Sequence, residues 1–291
     1  MTYDLFIGDR TFSSWSLRGW LMFEKFGLPV RTHMVGLYAG TMNDDLAPLH
    51  PARLVPVMRD SDGVIVFDSL AMGETLAERH PDTGFWPKDP AARALARSIT
   101  AEMHAGFTAL RGECPMQLMH QVNGFTPSQT ALSELERLET LWSLARTQHG
   151  ISGPWLFGDY CLADVFYAPI AARIAGYGLN TSASARNYVH TTLHDIAFRQ
   201  WRAMGLTKTY DPNPYETGLS TQDWPGPKPL KANPVEHGPA VNTDCPYSGK
   251  PVAHFLETDG RVFGFCNAFC RDKTVQDPDA WPKFTKLRDS H

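Results

Sequence analysis

The 291-residue chain contains no apolar run near the ~18–20 residues that a membrane-spanning helix needs, so no membrane partner is expected. No basic stripe dominates it. Lys and Arg number 27 against 31 Asp and Glu, a formal net charge of −4, which argues against nucleic acid as a partner. The start, Met1-Thr2-Tyr3-Asp4, lacks the basic region and apolar core of a secretory signal. Cysteine is scarce, five residues in all and scattered, which speaks against a disulfide framework and for a reducing compartment. These absences together predict a cytoplasmic protein. What is present is a 43% hydrophobic composition of ordinary charge, with length for two domains and an appendage.

Residues 3–8 alternate weakly and read as a strand. Residues 14–26 carry Leu17, Trp20 and Leu21 at helical spacing and stop at Gly27-Leu28-Pro29. Residues 30–35 read as a second strand. Two more strands, 55–58 and 64–67, flank the hairpin signal Asp60-Ser61-Asp62-Gly63, and a helix follows over 69–78. This β-α-β, connection, β-β-α order is that of a thioredoxin-like α/β layer, assigned to residues 1–80. An all-helical domain is expected over 86–207. In residues 90–111, Leu95, Ile99, Met103, Phe107 and Leu110 recur at three- and four-residue steps, and 127–147 and 162–177 look similar. Residues 208–241 hold seven of the 22 prolines (212, 214, 225, 227, 229, 234 and 239) and read as an extended strap or linker. Residues 242–291 form a small cysteine-bearing α+β appendage.

The densest information lies in Leu54-Val55-Pro56-Val57 and Phe67-Asp68-Ser69-Leu70-Ala71. Proline cannot donate to a sheet ladder, so Pro56 at a strand entrance predicts an edge or a special, cis, bond. It leaves the backbone of Val55 free to pair with an extended peptide ligand. Asp68 and Ser69 at a helix start offer an acceptor and donors for an amino-acid end group. Upstream, Phe12-Ser13-Ser14-Trp15-Ser16 opens the first helix with hydroxyls at the position where a redox enzyme of this layer carries Cys-x-x-Cys. Ser13-x-x-Ser16 argues against disulfide exchange by the protein. A ligand thiol held there would be drawn towards thiolate. The alternative is that Ser13 and Ser14 merely cap the helix.

Ser13-Ser14-Trp15-Ser16-Leu17-Arg18, Leu54-Val55-Pro56-Val57 and Asp68-Ser69-Leu70-Ala71 resemble the glutathione-binding half of a cytosolic glutathione S-transferase of the serine-type, zeta- and tau-like classes. In the helical half, residues 101–107 and 157–169 resemble a bacterial branch. The resemblance spans about residues 3–207. It implies glutathione as co-substrate, a small electrophile as partner, and a homodimer. It implies that Ser13 donates its hydroxyl to the glutathione sulfur, with Ser14 beside it. Val55, before a cis Pro56, would pair with the cysteinyl backbone, Asp68 and Ser69 would hold the γ-glutamyl end, and Arg53 would meet a carboxylate. Trp15 departs from the zeta-like pattern, which has a cysteine there, and so counts against reading maleylacetoacetate isomerase activity from the motif. Asp68 is shorter than the usual residue before the binding serine. The helical half's capping box begins with Cys161 rather than Ser or Thr, three residues before Asp164.

On the 90–111 helix, Arg93, Arg97, His104 and Arg111 fall on one stripe, read either as a solvated face or as placing His104 and Arg111 at the substrate cleft. His80 and Met103 are assigned to packing. In the appendage, Cys245, Cys266 and Cys270 give Cys-x20-Cys-x3-Cys, a pattern similar to small TRASH/YHS-type modules. Thiolates suit zinc or another thiophilic metal, with His254 or Asp272 as a fourth ligand or an open position. The alternative is reduced thiols that only pack. Glutathione transfer, or glutathione-dependent isomerisation, reduction or dehalogenation, is the expected chemistry. A non-catalytic glutathione-fold scaffold whose appendage binds a metal or a partner is the alternative.

Overall fold

In the computed structural model, which describes residues 2–150, 152–211 and 213–290, the N-terminal alternation forms β1 (Tyr3–Ile7), α1 (Ser14–Glu24) and β2 (Val30–Met34). Pro212 of the proline-rich stretch lies outside the described residues, as do Met1, Ile151 and His291. A short helix, α2 (Met42–Leu46), precedes the hairpin β3 (Val57–Arg59) and β4 (Ile65–Phe67), and α3 (Ser69–Arg79) closes the layer. The sheet order is β2-β1-β3-β4, with β1 and β2 parallel and the other pairs antiparallel. Asp60 Oδ1 accepts from the N–H groups of Asp62 and Val64, and Gly63 takes φ +83°, so the Asp-Gly signal does form the turn. Tyr3, Leu5, Ile7, Leu17, Phe23, Met58 and Leu76 are buried between the sheet and its helices. On the sheet, Asp4 accepts from Arg31, His33 and Arg59 and its carboxyl is held down to about 2, with the His33 hydrogen bond the largest cause.

The 90–111 stretch is two helices, not one. α4 (Pro90–Ala105) ends where Gly106 and then Phe107, at φ +58°, leave helical geometry, and α5 (Thr108–Glu113) starts after them. A Cβ on Gly106 would sit 2.8 Å from the Glu102 carbonyl oxygen, so glycine permits the break. A two-residue strand β5 (Gln121–Val122) precedes α6 (Gln129–His149), α7 (Leu162–Gly176) and α8 (Ala183–His194). α7 is buried on nearly every side, as befits a helix apolar all round, and packs against α1 and α4. Its cap is a capping box in which Asp164 accepts from the Cys161 N–H at 2.9 Å.

The chain divides into two compact units. The first runs to Leu193 and takes in Pro214–Pro225, where β6 (Thr221–Gln222) pairs with β5. The second holds His194–Asn213 and Gly226–His291. The helix α9 (Ile196–Gly205) thus belongs with the appendage rather than with the helical domain assigned to 86–207. Arg199 pairs with Asp277 through bonds of 2.6 and 2.9 Å, and Gln200 donates to the Ala280 carbonyl at 2.8 Å. The proline-rich 208–241 stretch is shared between the units, because its extended backbone offers a strand to each. β7 (Asn233–Val235) joins β8 (His254–Thr258) and β9 (Arg261–Phe265) in a three-stranded sheet. Asp259 and Gly260, both at positive φ, turn the β8–β9 hairpin. Helices α10 (Ala268–Gln276) and α11 (Pro282–Asp289) complete the unit around Leu256, Phe263, Phe265 and Phe284. Among the described residues no helix is long and apolar enough to cross a membrane.

Candidate functional site

After β1 the chain makes a turn in which Asp9 Oδ1 accepts from the N–H groups of Thr11 and Phe12. Ser13 then caps α1. Its Oγ accepts from the Ser16 N–H at 3.3 Å and donates to Ser16 Oγ at 2.8 Å, while Ser16 Oγ accepts from the Gly8 N–H at 2.9 Å. Ser13 is therefore the cap, and it also lines a cleft of about 940 Å³. Ser14, the first helical residue, lines the same cleft and accepts from Arg173 Nη2 at 3.3 Å.

Across the cleft, the Val55–Pro56 bond is cis, and Val55 lies before the paired register of β3, which begins at Val57. α1 approaches this turn closely. A Cβ on Gly19 would fall 2.8 Å from Pro56 Cβ, so the glycine admits the proline ring. Arg53, Val55 and Pro56 line the cleft together with Asp68 and Ser69. Asp68 takes φ +82°, a strained conformation for a residue with a side chain. It caps α3 by accepting from the N–H groups of Leu70 and Ala71 at 2.8 and 3.2 Å. Ser69 is buried, yet among the described residues its hydroxyl has no hydrogen-bond partner. A buried hydroxyl at a cleft wall without a protein partner has bonding capacity to offer a ligand or a water.

Arg111 and Arg173 line the cleft; His104 does not, and instead sets Nε2 3.1 Å from Asp68 Oδ2. Burial pushes the His104 imidazole down, Asp68 draws it up, and Arg18 and Arg111 push it down further, for a net fall. The break after α4 separates His104 from Arg111. Arg93 donates to the Pro87 and Lys88 carbonyls and Arg97 to Glu74, so the stripe is not one functional face. His80 bonds the Tyr3 hydroxyl at 2.8 Å, and Met103 is buried in the core.

Three cleft-lining residues, Trp15, Arg173 and Tyr215, and the buried Arg18 beside Trp15 had no site role assigned from the sequence. Trp15 lines the cleft and stacks with two guanidinium groups, Arg18 at 4.5 Å and Arg111 at 5.0 Å. Arg18 is buried, and its Nε and Nη1 have no hydrogen-bond partner among the described residues. Burial, then Arg173 and Arg111, push its pKa well below the usual guanidinium value. Arg173 donates to the Cys114 carbonyl at 2.8 Å, and burial lowers it to about 10, well above neutrality. Tyr215, from the proline-rich stretch, lines the cleft beside Tyr38 and accepts its hydroxyl proton at 2.9 Å. An arginine inside the apolar run of α7 was a readable signal for Arg173. Tyr215 had none, because its neighbours in sequence are loop residues.

In the second unit Cys245, Cys266 and Cys270 come together, their Sγ atoms all within 4.8 Å of one another. Burial raises the Cys245 thiol, but backbone N–H bonds from Cys266, Tyr247 and Ser248 and the Ser248 hydroxyl outweigh it and bring it down to about 7. Burial, then the Cys245 charge, pushes Cys270 up to about 12. Neither His254 nor Asp272 joins the group, and Asp272 is paired with Arg271 at 2.7 Å.

Residues 12–79 match the family described as Glutathione S-transferase, N-terminal domain. A probable maleylacetoacetate isomerase of Caenorhabditis elegans is 30% identical over 189 residues, 64% of this chain and 86% of that protein. Among solved structures, a glutathione transferase homologue from Burkholderia gl BGR1 with bound glutathione superposes with a TM-score of 0.53 at 22% identity, over 72% of this chain and all of that one. A maleylacetoacetate isomerase from Anaeromyxobacter dehalogenans 2CP-1, with glutathione in its active site, gives 0.50 at 23% identity, over 69% of this chain and 94% of that one.

Proposed function

The chain belongs to the glutathione S-transferase family, and from that premise we propose that it is a glutathione transferase in which Ser13 activates the glutathione thiol for attack on a small electrophile. The observation that carries the reading is a convergence. The hydroxyl-bearing start of α1, the Val55–Pro56 turn and the unpartnered Ser69 hydroxyl all open onto one cleft. Ser69 and Asp68 hold the γ-glutamyl end, the Val55 backbone pairs with the cysteinyl residue, and Arg53 meets a carboxylate.

The sulfur then lies at the start of α1, where the positive helix end favours an anion. Hydroxyl protons rotate, so the Ser13–Ser16 bond can run either way. With the ligand bound, Ser16, already accepting from Gly8, donates to Ser13, and Ser13 turns its own proton to the sulfur. Ser14, accepting from the Arg173 guanidinium, is a second donor. The thiol proton passes to solvent, and the thiolate forms a bond to the electrophilic carbon. Arg111 and Arg173 receive the negative charge that develops there, so the site favours an electrophile bearing or acquiring a carboxylate or enolate. The isomerase names of similar proteins lead to a second reading, in which the same thiolate adds to a double bond, the adduct rotates, and the thiolate leaves.

Hydrogen bonds to charged groups contribute roughly 1.5–3 kcal/mol. Ser13→Ala should therefore lower kcat/KM about 10- to 150-fold while retention on glutathione resin falls less. Unchanged turnover would remove Ser13 from this role. Glutathione binding with no turnover across a broad panel of electrophiles would favour a scaffold.

A further inference from the structure

Asp68 and His104 meet from different parts of the first unit. Asp68 caps α3, and His104 stands one residue before the end of α4. An ionised carboxylate offers about four acceptor positions. The Leu70 and Ala71 N–H groups occupy those on Oδ1, and His104 Nε2 at 3.1 Å takes one on Oδ2. The remaining Oδ2 position is what Asp68, half-exposed on the cleft wall, has to offer a ligand. A carboxylate only accepts, so Nε2 carries the hydrogen. The imidazole thus fixes the direction in which the carboxylate faces, although it does not itself line the cleft.

The surroundings keep this donor uncharged. Edge-to-face contacts with Trp15 at 5.3 Å and Phe166 at 6.0 Å hold the ring. Nδ1 is buried with no hydrogen-bond partner among the described residues, so a second proton there would make an N–H with nothing to accept it. The charged groups that face the ring are Asp68 at the start of α3, Arg18 of α1 and Arg111 of α5, while α7 presents the Phe166 ring. Burial and the two guanidinium groups outweigh Asp68 and push the imidazole down. A neutral donor leaves the full negative charge on Asp68. An imidazolium at 3.1 Å would instead compete for that charge with the ammonium of a ligand.

On the reading that Asp68 holds the γ-glutamyl end, we propose that His104 is a positioning residue for glutathione: as a neutral donor it aims the free Oδ2 position of Asp68 at the ligand's α-ammonium, and protonation of its ring weakens that grip. The probe is S-methylglutathione, whose blocked sulfur removes the thiol titration on which the role of Ser13 depends. Its binding to the full-length protein is measured by calorimetry from pH 7.5 to about pH 4.5. Wild-type affinity should fall about three- to tenfold as the pH drops below about 6.5, the ordinary histidine value. His104→Gln, whose amide still donates to Asp68, should bind like the wild type at pH 7.5 and lose most of that pH dependence. This variant separates the imidazole from every other group that titrates over the range. His104→Leu should bind about tenfold more weakly at pH 7.5, with KM for glutathione raised more than kcat is lowered. That penalty should vanish for an S-methyl analogue in which a glutaryl group replaces the γ-glutamyl residue and so lacks the ammonium. Equal affinity in wild type and His104→Leu, a wild-type pH profile retained in His104→Gln, or an undiminished penalty with the glutaryl analogue would overturn the role of His104 and leave the glutathione site in place. A wild-type protein that does not bind S-methylglutathione would overturn both.

Discussion

Ser69 separates binding from stability within one side chain. Its hydroxyl is buried without a hydrogen-bond partner among the described residues, a cost of about 1–3 kcal/mol that folding alone does not repay. Ser69→Ala should therefore leave thermal stability unchanged or raised. Glutathione affinity should fall about 10-fold or more, measured by calorimetry on the same preparation. A loss of stability with intact affinity would mean that the hydroxyl serves the fold. Residue by residue, the cluster proposed to grip glutathione was readable because backbone chemistry dictates it: a proline at a strand entrance, a carboxylate before a helix, hydroxyls at a helix start. The charge opposite was not. Arg18 and Arg173 reach Trp15 and Ser14 through helices whose facing periodicity alone does not define.

At the scale of an element, the start of α7 shows how a cap can carry a titration. Asp164 accepts from the N–H groups of Cys161 and Leu156 and from the Tyr188 hydroxyl, but it is fully buried, and burial lifts its carboxyl from 3.8 to about 6. Between about pH 4 and 6 the folded protein therefore keeps a proton that the unfolded chain has released. The stability from this group is full below about pH 4 and is lost as pH rises through 6. Relative to Asp164→Asn, wild-type unfolding free energy should shrink from pH 4.5 to pH 7 in denaturant titrations. A difference that grows with pH would mean the three hydrogen bonds outweigh burial. α4 and α5 teach the opposite lesson about legibility. The apolar steps from Leu95 to Leu110 continue across the break, so the pattern reads as one helix, and only the conformations of Gly106 and Phe107 reveal two.

For the whole molecule, the β-α-β, β-β-α layer and the long helices α4, α6 and α7 were legible because local signals there agree with one another: the Asp-Gly hairpin, the Ser and Asp caps, and the apolar run of α7; α2, β5 and α8 carried no such signal. The division after Leu193 was not legible either. α9 has the amphipathic pattern of any surface helix, and only the Arg199–Asp277 pair and its neighbours assign it to the C-terminal unit. In the first unit one cleft gathers hydroxyls, a helix start and arginines, and the proposed glutathione sulfur lies among them. The most direct test is the thiolate absorbance of glutathione bound to the wild-type protein, titrated with pH and compared with Ser13→Ala. A thiol ordinarily titrates near ~8.5, and each ~1.36 kcal/mol of preference for the anion lowers that by one unit. If Ser13 activates the thiol, the bound thiol titrates at least about one unit below the free value and moves back towards it in the variant; a bound thiol that titrates like free glutathione in both proteins would contradict that role.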